Sequence, residues 1–408
     1  MLNYPIVSIA IGATAAYILA TLIATLLARM GFPLPPAERR IGCIDGLRGY
    51  LALSVLIGHF IRWIQITRLG ETWSTPAPVH VFNQLGSGAV MLFFMITGLV
   101  FYPRILDGYR ACSWPKIYIS RVFRIIPLVT VSVAAVTLFI SIKTGHRPDS
   151  SFPKAAAEWI LALGEPDLLG YPDSWRLNAG VLWSLWYEWL FYLLLLPASA
   201  VAADLVRGRL PSWVLPAVLL LAGLSLQAFH LANLFLPFFA MGMLAYECQS
   251  REAIVRWLRT PLATMVAAGS LGIVMFFPTR YGLGAILFGI FFACIACGNS
   301  MWGLFKTRAA LVLGECSFGI YLIHGILLAL IFDKVSGLAE PLSIDLLPIL
   351  LLAPAAACVA LITAISYLLI ERPSIHLGSR IANHWKGVWL RPLRPPHRLR
   401  PSGRAGSN

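Results

Sequence analysis

Long apolar segments with almost no charge recur along the whole chain, and this pattern limits the folds that the sequence can adopt. A helix needs about 20 apolar residues to cross a bilayer, whereas a strand of a membrane barrel needs only about ten, with alternating hydrophobicity. The continuous segments therefore predict an all-α polytopic membrane protein with about 11 transmembrane helices. The predicted spans are approximately residues 5–28, 46–65, 87–103, 121–142, 180–203, 213–229, 231–247, 261–277, 281–298, 309–332 and 344–370.

The composition supports the same fold class. Of the 408 residues, 58% are hydrophobic and only 12% are charged, whereas soluble domains carry about 25% charged residues. A soluble fold would leave much of this apolar surface in contact with water. The first apolar segment is longer than the apolar region of a signal peptide and has no basic residues before it, so we expect it to remain as a span.

The distribution of basic residues predicts the orientation of the helices. With the N-terminus placed outside, three quarters of the 32 Lys and Arg residues fall on the cytoplasmic side, as the positive-inside rule requires. The net charge of +14 is therefore attributed to topology and to contact with a lipid bilayer, and no nucleic-acid partner is expected. The C-terminus is then cytoplasmic, and residues 373–408, rich in Pro and Arg, are expected to form a disordered basic tail.

Polar side chains inside the apolar segments are the candidate functional residues, because a charged group in the membrane core costs at least about 2.5–3.5 kcal/mol. In the second segment, Arg48 and His59 share one helix face and lie about 16.5 Å apart along the axis. His59 is then near the middle of the membrane, where a neutral imidazole can act as a general base. A buried structural histidine is the alternative. Asp45, three residues before Arg48, is positioned to pair with it.

Two further segments carry polar side chains at helical spacing. The fourth begins with Arg121 and Arg124, which face the same way and can hold a phosphate or a carboxylate between them. Ordinary anchoring at the membrane surface is the alternative for these arginines. In the fifth segment, Ser184, Glu188 and Tyr192 form one polar stripe. A carboxyl group at the depth of Glu188 must be neutral or paired.

The tenth segment places a second histidine at mid-depth. Ser317, Tyr321 and His324 lie on a single helix face, and His324 is at about the level of Glu188. Two histidines at this depth favour a chemical role over packing.

Five short motifs, in this order along the chain, resemble those of the acyltransferase 3 family of integral membrane O-acyltransferases. They are Ile44-Asp45-Gly46-Leu47-Arg48-Gly49 followed by His59, the Phe-rich stretch 88–98, Arg121-Val-Phe-Arg124-Ile-Ile-Pro127, Trp183-Ser-Leu-Trp-Tyr-Glu188 and Ser317-Phe-Gly-Ile-Tyr321-Leu-Ile-His324. The similarity extends to Glu371-Arg372-Pro373. We therefore expect a transmembrane acyltransferase domain of ten helices over residues 44–372, preceded by an extra transmembrane helix within residues 1–30.

The resemblance implies transfer of an acyl group, most often acetyl, from acyl-CoA to a hydroxyl group of a cell-envelope or exported glycan. Acyl-CoA would be a co-substrate, with no bound cofactor and no metal, and the protein would lie in the bacterial inner membrane. The implied roles are catalysis by His59 and Glu188, donor binding by Arg48, Arg121 and Arg124, and support on the acceptor side by Asp45, Ser317, Tyr321 and His324.

Three alternatives stay open at this stage. The acceptor could be a small molecule or a lipid-linked intermediate rather than a glycan. A proton-coupled transporter or flippase would also bury His and Glu side chains at mid-depth. Within the enzyme, His59 could be a general base or could carry the acyl group covalently.

Overall fold

The computed structural model describes residues 5–36, 42–231, 235–338 and 343–389, with the backbone alone for residues 334–338 and 385–389. Helices form all of the regular structure in these ranges, and each predicted apolar segment coincides with one or two of them. The α-helices are α1 Ile6–Arg29, α2 Cys43–Leu69, α3 His80–Asp107, α4 Trp114–Thr144, α5 Phe152–Ile160, α6 Leu182–Leu190, α7 Leu196–Val206, α8 Val214–Ala228, α9 Leu236–Gln249, α10 Glu252–Leu258, α11 Pro261–Phe276, α12 Tyr281–Ala296, α13 Arg308–Glu315, α14 Ser317–Leu338, α15 Ala353–Ser366 and α16 Arg372–Trp389.

The lengths of these helices test the predicted number of spans. Among the described residues, six stretches are long and apolar enough to cross a membrane, and the number rises to eight if each of two bent helix pairs counts as one span. Helices α8 and α12 are apolar but have only 15 and 16 residues. The structure thus confirms an all-helical, multi-pass membrane protein, while the number of 11 spans stays a prediction.

The tenth predicted span is a bent pair rather than one straight helix. Helices α13 and α14 meet with a bend of 66°, and both of them pack on α2. The contact with α13 is very close, because a Cβ atom on Gly314 would lie 1.9 Å from the carbonyl oxygen of Asp45. The bend therefore lets two successive helices follow the same neighbour.

Helix α1 packs inward through a face of small residues. Its buried positions include Gly12, Ala16, Ala20 and Ala24, and they face α13, α15 and the turn that precedes α15. A Cβ atom on Gly12 would lie 2.3 Å from the carbonyl oxygen of Pro348. The first helix is therefore an integral part of the bundle.

Within the described ranges, three helical stretches widen into π-helical turns, at Phe191–Leu195, Pro348–Leu352 and Tyr367–Glu371. Such turns insert one residue into a helix and often occur at functional sites. The first carries Tyr192 and the third carries Tyr367, and both of these side chains line the cavity described below.

Helix α16 corrects the prediction of a disordered tail beginning at residue 373. Arg372–Trp389 forms a helix that packs against α4, where Gly378 allows close approach to Phe123. The segment is polar overall, but its apolar residues recur at helical spacing and provide one face to bury. The Pro/Arg-rich composition that suggested disorder is concentrated in residues 390–408, which lie outside the described residues.

Backbone-to-backbone contact between α3 and α9 leads to a stability prediction. A Cβ atom on Gly98 would lie 2.1 Å from the carbonyl oxygen of Phe239. We expect Gly98→Ala to reduce the free energy of unfolding by about 1–3 kcal/mol, because neither backbone can move away without opening the bundle. Thermal unfolding of the purified protein measures the effect. The control is Gly86→Ala on the same helix, which has nothing within 4 Å of its Cβ position and should not be destabilised; equal behaviour of the two variants would contradict the prediction.

Candidate active site

A cavity of about 500 Å³ lies between α2, α3, α4, α6, α14 and α16. It brings together most of the side chains that the sequence singled out, although they come from four separate apolar segments. The predicted site residues that line it are Asp45, Arg48, Arg121, Arg124, Glu188, Ser317 and Tyr321. No group of three or more His, Cys, Asp or Glu side chains within the described ranges is arranged to hold a metal ion.

The cavity is basic where the N-terminal parts of α2 and α4 meet it, because Arg48, Arg121 and Arg124 line it there. Arg48 forms the predicted ion pair with Asp45, with Nη1 at 3.8 Å from Oδ1. The guanidinium of Arg121 lies over the rings of Phe101 and Tyr192, at 5.2 and 5.8 Å from their centroids. Its Nε is buried and finds no hydrogen-bond partner among the described residues. Arg121 is therefore held in position by aromatic rings and keeps a donor available for an anion.

Carboxyl and hydroxyl groups form another part of the wall. Glu188 accepts a hydrogen bond from the Tyr192 hydroxyl, at 3.0 Å between Oη and Oε2. The hydroxyl oxygens of Ser184 and Tyr321 are 2.7 Å apart, and Tyr321 also donates to the Val181 carbonyl oxygen at 3.0 Å. The two polar stripes predicted on separate helices thus meet through Ser184 and Tyr321.

The two histidines of the predicted site lie outside the cavity wall and contact each other. Nδ1 of His59 is 2.9 Å from Nε2 of His324, and Nδ1 of His324 is 2.9 Å from the carbonyl oxygen of Ile320. Because a carbonyl oxygen can only accept, Nδ1 of His324 carries the proton and its Nε2 accepts from Nδ1–H of His59. When both rings are neutral, this chain of hydrogen bonds leaves Nε2 of His59 with a free lone pair.

Tyr321 connects the cavity to the histidine pair. Its side chain lines the cavity, and its ring centroid is 6.3 Å from that of His324. The sequence predicts that His59 shares a helix face with Arg48, which lines the cavity. In the structure His59 lies beyond Tyr321, and its ring centroid is 6.1 Å from that of Trp73. A helix face drifts by about 20° over eleven residues, and along this length the neighbours of α2 change. The histidine pair therefore lies between the cavity and the connecting segments on the side of the bundle away from the arginines, such as the connection between α2 and α3 that carries Trp73.

Several cavity residues were not predicted from the sequence. Tyr367 donates to Oε2 of Glu315 at 3.0 Å, and both side chains line the cavity together with Arg372 and His376. Glu315 could have been found by the argument that singled out Glu188, since it is also a carboxylate within an apolar segment. His376 could not, because nothing local distinguishes it from a solvated histidine on a polar helix.

The segment between α4 and α6 closes the far side of the bundle. It contains the short helix α5, Phe152–Ile160. Beyond this helix, Oε1 of Glu165 is buried and has no hydrogen-bond partner within the described part of the chain. Burial raises the pKa of the Glu165 carboxyl to about 7.

Comparison with known proteins identifies the family. The family model described as an acyltransferase domain, acyltransferase 3, matches residues 41–371. The chain belongs to the acyltransferase 3 family. No curated protein matches the chain. No solved structure matches it either. In this family member, part of the cavity wall comes from residues 33–36 and 372–376, which flank the matched region.

The buried carboxyl of Glu165 leads to a pH prediction. Its folded pKa of about 7 lies above the ordinary value of 4.5, so between these pH values the folded chain binds more protons than the unfolded one. The free energy of unfolding therefore decreases as the pH rises through this window. We expect Glu165→Gln, which cannot ionise, to unfold at a higher temperature than the wild type at pH 8 and at a similar temperature at pH 5. Thermal unfolding at both pH values measures this, and a difference that does not depend on pH would contradict it.

Proposed function

We propose that this acyltransferase is an O-acyltransferase that moves an acyl group, most often acetyl, from cytoplasmic acyl-CoA to a hydroxyl group of a cell-envelope or exported glycan. The observation that carries the proposal is the cavity, which is lined by four arginines, among them the predicted Arg48, Arg121 and Arg124, and adjoins the histidine pair through Tyr321. We place the protein in the bacterial inner membrane with the N-terminus outside and the C-terminus cytoplasmic. In that orientation the arginines face the compartment that supplies acyl-CoA.

The donor side suits a long molecule with phosphates at one end and a thioester at the other. Arg48, Arg121 and Arg124 offer planar, permanently charged donors, which bind phosphate oxygens in pairs. The volume of about 500 Å³ is within the range of small-molecule sites. Aromatic and aliphatic side chains of α3 line the cavity between the arginines and Tyr321, and they would contact the apolar part of the arm.

The proposed chemistry uses the free lone pair of His59. Nε2 removes the proton of the acceptor hydroxyl, and the oxygen attacks the carbonyl carbon of the thioester. A carbon–oxygen bond forms, the carbon–sulfur bond breaks, and coenzyme A leaves as a thiolate. Glu188 lies on the donor side and, in its protonated form, can give a proton to that thiolate. The proton that His59 took from the hydroxyl then replaces the one that Glu188 gave up, so both groups return to their starting states. An acyl-His59 intermediate would use the same lone pair.

His324 has the role of a positioning residue in this scheme. Nε2 of His324 accepts a hydrogen bond from Nδ1–H of His59. This hydrogen bond favours the tautomer of His59 in which Nε2 carries no proton. Tyr321 connects His324 to the cavity, and Ser317, whose buried hydroxyl has no partner among the described residues, provides a donor toward the bound acyl group.

The first prediction from this proposal concerns His59. We expect His59→Ala to lower kcat at least 100-fold, because a positioned general base contributes about 10²–10⁴, while the protein stays folded at the assay temperature. Free-thiol release from acetyl-CoA by purified protein in liposomes, with and without an envelope-glycan extract, measures the loss. His384→Ala, at an exposed position on α16, is the matched control.

Each outcome of this assay has a defined meaning. Near-full activity of His59→Ala would overturn the assignment of the base. Thiol release by the wild type that does not depend on any acceptor extract would contradict transfer to a glycan. Acceptor movement across the liposome membrane without consumption of acetyl-CoA would favour the transporter.

The second prediction concerns the donor side. We expect Arg121→Ala to raise the KM for acetyl-CoA at least tenfold, because a hydrogen bond from a charged group contributes about 1.5–3 kcal/mol. The control is Arg104→Ala, since Arg104 pairs with Asp107 at 3.3 Å and its side chain is 57% exposed. An unchanged KM for acetyl-CoA in Arg121→Ala would remove this residue from the donor site.

A further inference from the structure

Three tryptophans from three segments meet on the side of the histidine pair that faces away from the cavity. Trp63 lies on α2, Trp73 in the connection between α2 and α3, and Trp175 between α4 and α6. The ring centroids of Trp63 and Trp73 are 6.0 Å apart, and those of Trp73 and Trp175 are 5.4 Å apart. Trp73 also lies 6.1 Å from His59. All three indoles and His59 are half-buried, so this group remains accessible.

Buried polar atoms without partners surround the same group. Within the described residues, Nε1 of Trp63, Oε1 of Glu165 and Nε of Arg176 are buried and make no hydrogen bond. Leaving such an atom unsatisfied costs about 1–3 kcal/mol, and native proteins contain few of them. Two donors and one acceptor left unsatisfied around one aromatic cluster indicate a ligand with several hydroxyl groups.

The local contacts connect Glu165 and Arg176 to the tryptophans. The guanidinium of Arg176 lies 5.4 Å from the centroid of the Trp175 ring. The backbone N–H of Leu168 donates to the Ser174 hydroxyl at 2.9 Å, which connects the segment after Glu165 to the turn that carries Trp175. The Ser174 hydroxyl also donates to the carbonyl oxygen of Pro166, the residue after Glu165, at 3.5 Å. Glu165 therefore lies beside the turn that carries Trp175.

The chemistry of this cluster matches one class of molecule. A pyranose ring presents apolar C–H faces, which pack on indole rings, and a rim of hydroxyl groups, which bind indole N–H, guanidinium and carboxylate groups. An alkyl alcohol has the apolar surface but lacks the additional hydroxyls, and glycerol has hydroxyls but no ring face. Since Nδ1 of His59 is held by His324, Nε2 is the ring nitrogen available to an acceptor bound here.

We propose that Trp63, Trp73, Trp175, Glu165 and Arg176 form an acceptor subsite that binds a pyranose ring with one hydroxyl directed at Nε2 of His59. This inference rests on the proposed function, in which His59 is the base. It assigns the acceptor to the side of the histidine pair opposite the donor cavity.

The test is direct binding of sugars to the full-length protein in lipid nanodiscs, which avoids the sugar headgroups of maltoside detergents. Saturation-transfer NMR would be recorded with methyl α-D-glucopyranoside, methyl α-D-galactopyranoside and glycerol. We expect saturable binding of at least one pyranoside and none of glycerol. Binding should weaken at least tenfold in Trp175→Ala and in Glu165→Gln, and should be largely retained in Trp175→Phe.

Two controls separate loss of the subsite from loss of the fold. Trp302→Ala removes an indole that is 74% exposed in the segment before α13 and should bind sugar like the wild type. Glu165→Gln is nearly isosteric and is expected to unfold at a higher temperature than the wild type at pH 8, so weaker binding at that pH cannot come from unfolding.

The outcomes distinguish this inference from the proposed function. Absence of saturable binding by both pyranosides, equal binding by the wild type, Trp175→Ala and Glu165→Gln, or equal binding of glycerol would overturn the subsite. If acetyl-CoA is still consumed in an acceptor-dependent manner in that case, the proposed function stands without it. Saturable sugar binding together with no binding of coenzyme A would instead overturn the donor assignment and leave the subsite in place.

Discussion

Close packing of backbones around α2 is the constraint on which the rest of the structure depends. In a bilayer, apolar side chains gain little by leaving lipid for a neighbouring helix, so helices associate mainly through packing contacts and hydrogen bonds. Backbone atoms lie within 3 Å of the Cβ positions of three glycines here: those of Phe305, just before α13, at Gly46, those of α13 at Gly49, and those of α2 at Gly314. Larger residues at these positions would push α13 away. Because α14 follows α13, the position of His324 relative to His59 depends on this contact.

The polar groups inside the bundle are arranged to limit the cost of burying them. Asp45 accompanies Arg48, Tyr192 donates to Glu188, and Tyr367 donates to Glu315. The few buried polar atoms that lack a partner in the described residues include Arg121 Nε and Ser317 Oγ at the cavity, and Trp63 Nε1 and Glu165 Oε1 beyond the histidine pair. The unsatisfied atoms thus occur on both sides of the histidines, which agrees with the proposed binding of donor and acceptor on opposite sides of the pair.

The sequence singles out candidate side chains, but it does not show which of them contact each other. The cost of a charge in an apolar segment singled out Arg48, Glu188 and both histidines, and seven of the predicted side chains line one cavity. Helical periodicity reports which residues share a face, but not which neighbour that face meets. For this reason His59 was expected to continue the Arg48 face into the cavity, whereas the structure pairs it with His324, 265 positions away along the chain.

What the sequence by itself determined is the apolar helices, their multi-pass arrangement in a membrane and the family, because apolar length, local spacing and short motifs are properties of neighbouring residues. The π-helical turns, the bend between α13 and α14 and the packing of α16 on α4 are decided by contacts between distant segments. Contacts between distant segments also decide the histidine pair and the group of tryptophans beside His59. Their positions depend on how closely each helix can approach the next one, and that distance is defined only once the whole bundle has assembled.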